Sequence, residues 1–151
     1  MERQIRNSVK ALIMKDGNIL VNKCQDRDTG EIYYSLPGGG QKPEELLTDT
    51  VKRECREELG IEIEPKSLVF IREGLNGEPY HRIDLVFLCK YIKEIENMVI
   101  EKDYNQIGNE WIKIDNLMNI TLYPLIIREE IIKLNKNIPT EVYIGNEDRK
   151  N

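Results

Sequence analysis

Between Glu44 and Glu58 the chain carries six acids, Glu44, Glu45, Asp49, Glu54, Glu57 and Glu58, against three bases, Lys52, Arg53 and Arg56. Like charges four residues apart on a helix cost a few tenths of a kcal/mol each, so something should offset the crowding. Residues four apart lie about 40° past a full helical turn, and residues three apart about 60° short of one. Glu54, Glu57 and Glu58 therefore share a face, within reach of a common point. A hard divalent cation with oxygen ligands is the natural partner for such a face. The competing reading is a solvated face held by pairs such as Arg53 with Glu57. On the N-terminal side stand Gly38, Gly39 and Gly40, where the backbone can approach a ligand with no Cβ in the way.

These residues need an element to hold them. A helix over residues 44–59 fits, closed by Gly60, with an apolar stripe of Leu47, Val51, Cys55 and Leu59. Upstream, residues 4–24 read as a hairpin turning at Asp16-Gly17. Residues 27–32 are a loop, and "YYSLPGG" enters the glycines in extended form. Residues 61–74 read as one or two strands broken near Pro65, and 74–79 as a turn. Residues 81–92 form a nearly continuous apolar strand suited to the sheet centre. Residues 94–108 look irregular, 109–114 a short strand, and 124–135 a second helix with Pro124 near its first turn. The fold class is α+β, a mixed sheet with helices packed on it. Residues 1–145 form a single domain, and the polar tail 146–151 is expected to fray.

The chain of 151 residues has a net charge of −5, with 40% apolar and 32% charged residues. An acidic chain does not attract nucleic acid through its bulk field, so a phosphate-bearing ligand needs local cations or a metal. The N-terminus has no apolar signal core, and no apolar run is long enough for a membrane span. Cys24, Cys55 and Cys89 are odd in number, distant from each other and without a CxxC pair. They read as structural thiols of a reduced, cytoplasmic protein.

The spacing of the box is specific. Gly39 is followed after five residues by Glu45, and after seven more by Arg53-Glu54-Cys55-Arg56-Glu57-Glu58-Leu59-Gly60-Ile61. This resembles the Nudix box, G-x5-E-x7-R-E-U-x-E-E-x-G-U, of MutT-like hydrolases, with U a bulky aliphatic residue. Every fixed charged and glycine position matches. Cys55 stands in an aliphatic slot, Lys42 and Glu44 depart from the common loop, and Leu46 replaces the usual Ser or Thr cap. Looser likeness extends over about residues 5–125, including "NEWIKIDNL".

The resemblance implies a Nudix α/β/α sandwich, its mixed β-sheet lying between helices, that hydrolyses a pyrophosphate bond in a nucleoside diphosphate linked to another moiety. Mg²⁺ or Mn²⁺ would be the cofactor. The substrate would be a small nucleotide: a nucleotide sugar such as ADP-ribose, or a nucleoside triphosphate. Removal of pyrophosphate from RNA 5′ ends is an alternative that would need a basic groove. A non-catalytic nucleotide-binding Nudix module is another. A homodimer is common among relatives. The resemblance assigns Glu54, Glu57 and Glu58 as metal ligands with the Gly38 carbonyl, and Glu54 or Glu58 alternatively as the group that orients or deprotonates water. It assigns Arg53 and Glu45 to supporting these acids. Candidates for a downstream base are Glu101, Asp103 and Glu110. Substrate contacts are expected from Tyr34 (or its neighbour Tyr33), Glu110, Arg6 and Arg72. Arg72 is alternatively a solvated strand-end arginine, and Arg6 would meet a phosphate from the first strand. His81 reads chiefly as a packing or surface residue, with a substrate or base role as the alternative, and Trp111 as core rather than a stacking platform.

Overall fold

The computed structural model describes residues 2–76 and 79–147. β1 (Ile5–Lys15) and β2 (Asn18–Gln25) form the expected hairpin. Its two-residue turn, Asp16-Gly17, has φ of 51° and 75°, the doubly left-handed conformation that Asp-Gly tolerates. β3 (Ile32–Ser35) and β4 (Gly38–Gly40) lead to α1 (Leu47–Leu59). β5 (Ile61–Gly74), β6 (His81–Glu94) and β7 (Gln106–Lys113) follow. A 3-10 helix (Ile114–Asn119), β8 (Leu122–Tyr123), α2 (Ile127–Asn135) and β9 (Tyr143–Asn146) complete the order.

The sheet is mixed and curled, in the order β8-β3-β2-β1-β6-β5-β9. β1 is its pivot. It runs parallel to β6 from Ile5↔His81 to Ile13↔Cys89, antiparallel to β4 at Val9↔Gly39, and antiparallel to β2 at Met14↔Ile19. β7 lies antiparallel to β2.

Strand alternation along β1 sorts the two cores. Val9, Ala11 and Ile13 pack with Val51 and Cys55 of α1 and with Phe87 and Cys89 of β6. Leu12 points the other way, into a cluster with Phe70, Val86, and Ile127 and Ile131 of α2. A helix therefore covers each face, and β6 is buried on both sides, as its apolar run requires. Each fully buried aliphatic or aromatic side chain contributes about 1.5–3 kcal/mol of transfer free energy, so α1 is held mainly by Val51 and Cys55, both 0% exposed.

Several boundaries differ from the sequence expectation. α1 starts at Leu47 rather than Glu44, because Glu44 sits at φ 71°, outside the helical region. Leu46 is the N-cap and has no side-chain acceptor; Asp49 Oδ2 accepts from the Leu46 N–H at 3.1 Å instead. Asp49 thus serves as a helix-start partner. β5 passes through Pro65 as one strand, absorbing it in register shifts against β6. β7 begins at Gln106, inside the stretch that reads as irregular, and α2 begins at Ile127. Of the expected tail, Asn146 pairs with Glu73, and Glu147 Oε2 accepts from the Ile126 N–H at 2.9 Å. Residues 148–151, and 77–78 of the expected turn, lie outside the described residues. Trp111 is 39% exposed rather than core, its ring edge-on to Tyr91.

Candidate active site

α1 delivers its acids to the glycine strand. Gly60 ends the helix with φ 63°, its N–H donating to the Arg56 carbonyl, so the last turn that carries Glu57 and Glu58 is regular to its end. Val51 and Cys55 press α1 onto the sheet and set how far Glu54 and Glu58 reach.

Arg53 is the hub. Its Nε donates to Glu45 Oε2 at 2.7 Å and its Nη2 to Glu45 Oε1 at 3.0 Å. Nη1 donates to Glu54 Oε1 at 2.9 Å and to Glu57 Oε2 at 3.2 Å, and Nη2 also donates to the Gly40 carbonyl at 3.1 Å. One guanidinium thus joins the helix, the preceding turn and the glycine strand. Hydrogen bonds from Arg53 and from the Lys42 N–H hold the Glu45 carboxyl down at about 2, and those with Glu45 raise the Arg53 guanidinium above its ordinary value.

Glu58 goes its own way. It is 6% exposed. Its Oε2 accepts from Asn22 Nδ2 at 2.9 Å and from Gln106 Nε2 at 2.7 Å, and its Oε1 accepts from the Gly38 N–H at 2.9 Å. Burial pushes its carboxyl above the usual range, against the downward pull of Lys10 and these donors. Arg53 takes Glu54 and Glu57, whereas Glu58 turns inward to amide donors, and among the described residues no three acidic, thiol or imidazole groups converge into a cage.

The glycine strand is the second wall. A Cβ on Gly39 would lie 2.4 Å from the Glu54 carboxyl carbon. A Cβ on Gly40 would lie 2.7 Å from Arg6 Nη2, and one on Gly38, at φ 152°, would overlap the Val9 carbonyl and Lys10. The pleat therefore puts acids on one side of bare backbone and cations on the other.

Behind that strand lies a cavity of about 310 Å³. Arg6, Lys10, Arg72 and Arg82 line it, with Glu58, Asp84 and Asp103. Arg6 stacks over Tyr80 at 5.1 Å from the ring centroid. Arg72 is 4% exposed, so its reading as a solvated strand-end residue is corrected: the strand end is covered, and Asp84 faces it across the ladder.

The remaining candidates separate cleanly. Asp103 lines the cavity, and its N–H donates to Gln106 Oε1 at 3.2 Å. Glu101 is exposed and contributes its N–H to the Glu57 carbonyl. Tyr34 and Glu110 do not line the cavity; alternation turns them toward each other, and burial with the Glu110 hydrogen bond raises the Tyr34 hydroxyl. His81 lies 3.8 Å from Glu73 and is not among the cavity residues. Asn22, Gln106, Arg82 and Asp84 are site residues that the sequence reading passes over. Arg82 and Asp84 were visible as charges at alternate positions of an otherwise apolar strand; Asn22 and Gln106 carry no such signal.

A family model described as NUDIX domain matches residues 4–130. The human protein named nucleoside diphosphate-linked moiety X motif 6 is 36% identical over 67 residues, which are 44% of this chain and 21% of that protein. The nucleoside triphosphatase NudI of Klebsiella pneumoniae is 29% identical over 128 residues, 78% of this chain and 88% of that one. Among solved structures, a NUDIX hydrolase from Nitrosomonas europaea superposes with a TM-score of 0.72 at 21% identity, covering 90% of this chain and 93% of that one.

Proposed function

The chain belongs to the Nudix family, and from that membership we propose that it hydrolyses the pyrophosphate bond of a small nucleotide with Mg²⁺ or Mn²⁺. The family as a class uses divalent metal ions and acts on nucleoside diphosphate-linked moieties. The observation that carries the reading is the bare strand Gly38–Gly40, with Glu54 on one side and the Arg6 guanidinium on the other. A polyanion crossing that backbone meets carboxylates that suit a cation and guanidinium groups that suit phosphate oxygens.

The donor set fits a hard cation. Glu54 offers carboxylate oxygens beside a glycine whose missing Cβ leaves the room, with Glu57 on the same guanidinium, and an ion that keeps waters needs only one or two carboxylates plus substrate oxygens. Glu54, Glu57 and Glu58 with the Gly38 carbonyl would hold it. Bound there, it would neutralise phosphate charge and acidify water. Arg53 and Glu45 fix the orientation of Glu54 and Glu57. Arg6 binds phosphate oxygens at the other face. The water oxygen bonds to phosphorus, the bridging P–O bond breaks, and the water proton passes to a carboxylate drawn from Glu54, Glu58 and Asp103. The cavity of about 310 Å³ has the size of a site for one small ligand, which favours a free nucleotide over an RNA end.

The test is a nucleotide panel with Mg²⁺ or Mn²⁺, read as release of phosphate, pyrophosphate or nucleoside monophosphate, for wild type and Glu57→Gln. We expect EDTA to abolish turnover and Glu57→Gln to lower it at least about 100-fold. Equal activity of the two proteins, or turnover that persists in EDTA, rejects the proposal.

A further inference from the structure

We propose that Arg72 reads a carbonyl oxygen on the nucleobase, so that the cavity selects carbonyl-bearing bases over adenine; this rests on the nucleotide reading above. Arg72 is 4% exposed, lines the cavity, and its Nε has no hydrogen-bond partner among the described residues. A buried donor left unmade costs about 1–3 kcal/mol, so a site that keeps one invites an acceptor.

The setting is built to hold this guanidinium. Its Nη1 forms an ion pair with Asp84 Oδ2 at 3.5 Å. Gly74, two residues on along the same face, leaves the space it fills: a Cβ there would lie 2.4 Å from Arg72 Nη1. Asp84 is not the reader. Its Oδ1 already accepts from Arg82 Nε at 2.8 Å and its Oδ2 faces Arg72, so both oxygens are engaged. What the cavity offers at this depth is a donor.

The neighbouring surface argues for a base rather than a phosphate. Leu36, Val86 and Ile127, each no more than 3% exposed, line the cavity together with Tyr123 and Pro124. Flat apolar walls with one convergent donor suit a ring bearing a carbonyl. The phosphate end is accounted for at the glycine strand, beside Arg6 and Glu54. Uracil, thymine, cytosine and guanine carry an exocyclic carbonyl oxygen. Adenine carries none, and its exocyclic amine would set a donor against Arg72.

The experiment measures binding by calorimetry, with Mg²⁺, of the non-hydrolysable α,β-methylene analogues of UDP, GDP and ADP. We expect the uridine and guanosine analogues to bind at least about tenfold tighter than the adenosine one. Arg72→Met, which keeps length and removes the donor, and Arg72→Lys, which keeps charge but not the Nε–H, should both bring that ratio within about threefold. Circular dichroism identifies which variant is folded, and either suffices. Equal or tighter adenosine binding, no binding of any analogue, a ratio that survives the substitution, or an equal loss for all three analogues overturns the inference. Selective binding without turnover would instead sink the hydrolase reading and leave this one standing; turnover without selectivity does the reverse.

Discussion

Arg53 and Glu45 are joined by a two-bond fork, Nε to Oε2 at 2.7 Å and Nη2 to Oε1 at 3.0 Å, which ties the middle of α1 to the turn before it. The fork lowers the Glu45 carboxyl from an ordinary 4.5 to about 2. A carboxyl depressed on folding contributes stability that is present above its unfolded value and lost as pH falls through its folded one. Between about pH 4.5 and pH 2 the protein should therefore lose this contribution. Thermal melts from pH 7 down to pH 2.5 check it, with Glu45→Gln expected to show a shallower acid decline than wild type. Parallel declines would assign the acid sensitivity to other groups.

Arg53→Lys removes the fork while keeping the charge. Lysine is a point donor and cannot serve Glu45, Glu54, Glu57 and the Gly40 carbonyl together. We expect a loss of about 1–2 kcal/mol, seen as a Tm drop of roughly 3–6 °C. We also expect turnover to fall by about 10–100-fold, because Glu54 and Glu57 lose their orienting partner. A Tm drop with unchanged turnover would make Arg53 structural only.

Gly39→Ala places a methyl where the Glu54 carboxyl lies, 2.4 Å from its carbon. The end of a glutamate side chain can swing aside, so the fold survives and the acid is displaced. Displacement by about 1 Å at a reacting centre costs on the order of 100-fold in rate. Gly108→Ala is the control, since a Cβ there meets nothing within 4 Å among the described residues. Circular dichroism and turnover of the pair measure the difference; equal turnover would remove the Gly39–Glu54 approach from the site.

The native protein should not react with a thiol reagent such as DTNB. Cys24, Cys55 and Cys89 are 4%, 0% and 3% exposed. Burial pushes the Cys55 thiol well above its ordinary value and that of Cys89 up to about 12, and the thiolate is the reactive form. All three should titrate after denaturation. Fast labelling of one cysteine in the native state would show that its core opens.

Local chemistry accounts for what the sequence decides alone. The carboxylates at fixed helical spacing, the Gly60 cap, the Asp16-Gly17 turn and the apolar stripe of α1 each depend on neighbours within a few residues, so spacing and residue type carry them. The same is true of the nearly continuous apolar run that makes β6 a central strand. The family likeness is legible for the same reason, since its box lies within Gly39–Ile61.

Tertiary packing decided the rest. Glu54, Glu57 and Glu58 look equivalent on a helical wheel, yet Glu58 is buried among donors from Asn22 and Gln106, which lie 36 and 48 residues away in the chain. Arg72 reads as a strand-end charge until β6 brings Asp84 opposite it and α2 closes the cavity over both. Tyr34 and Glu110 meet because β3 and β7 both pair with β2 and bring the two side chains together. Spacing along one helix determines which acids share a face; desolvation and long-range pairing determine how each of them is held.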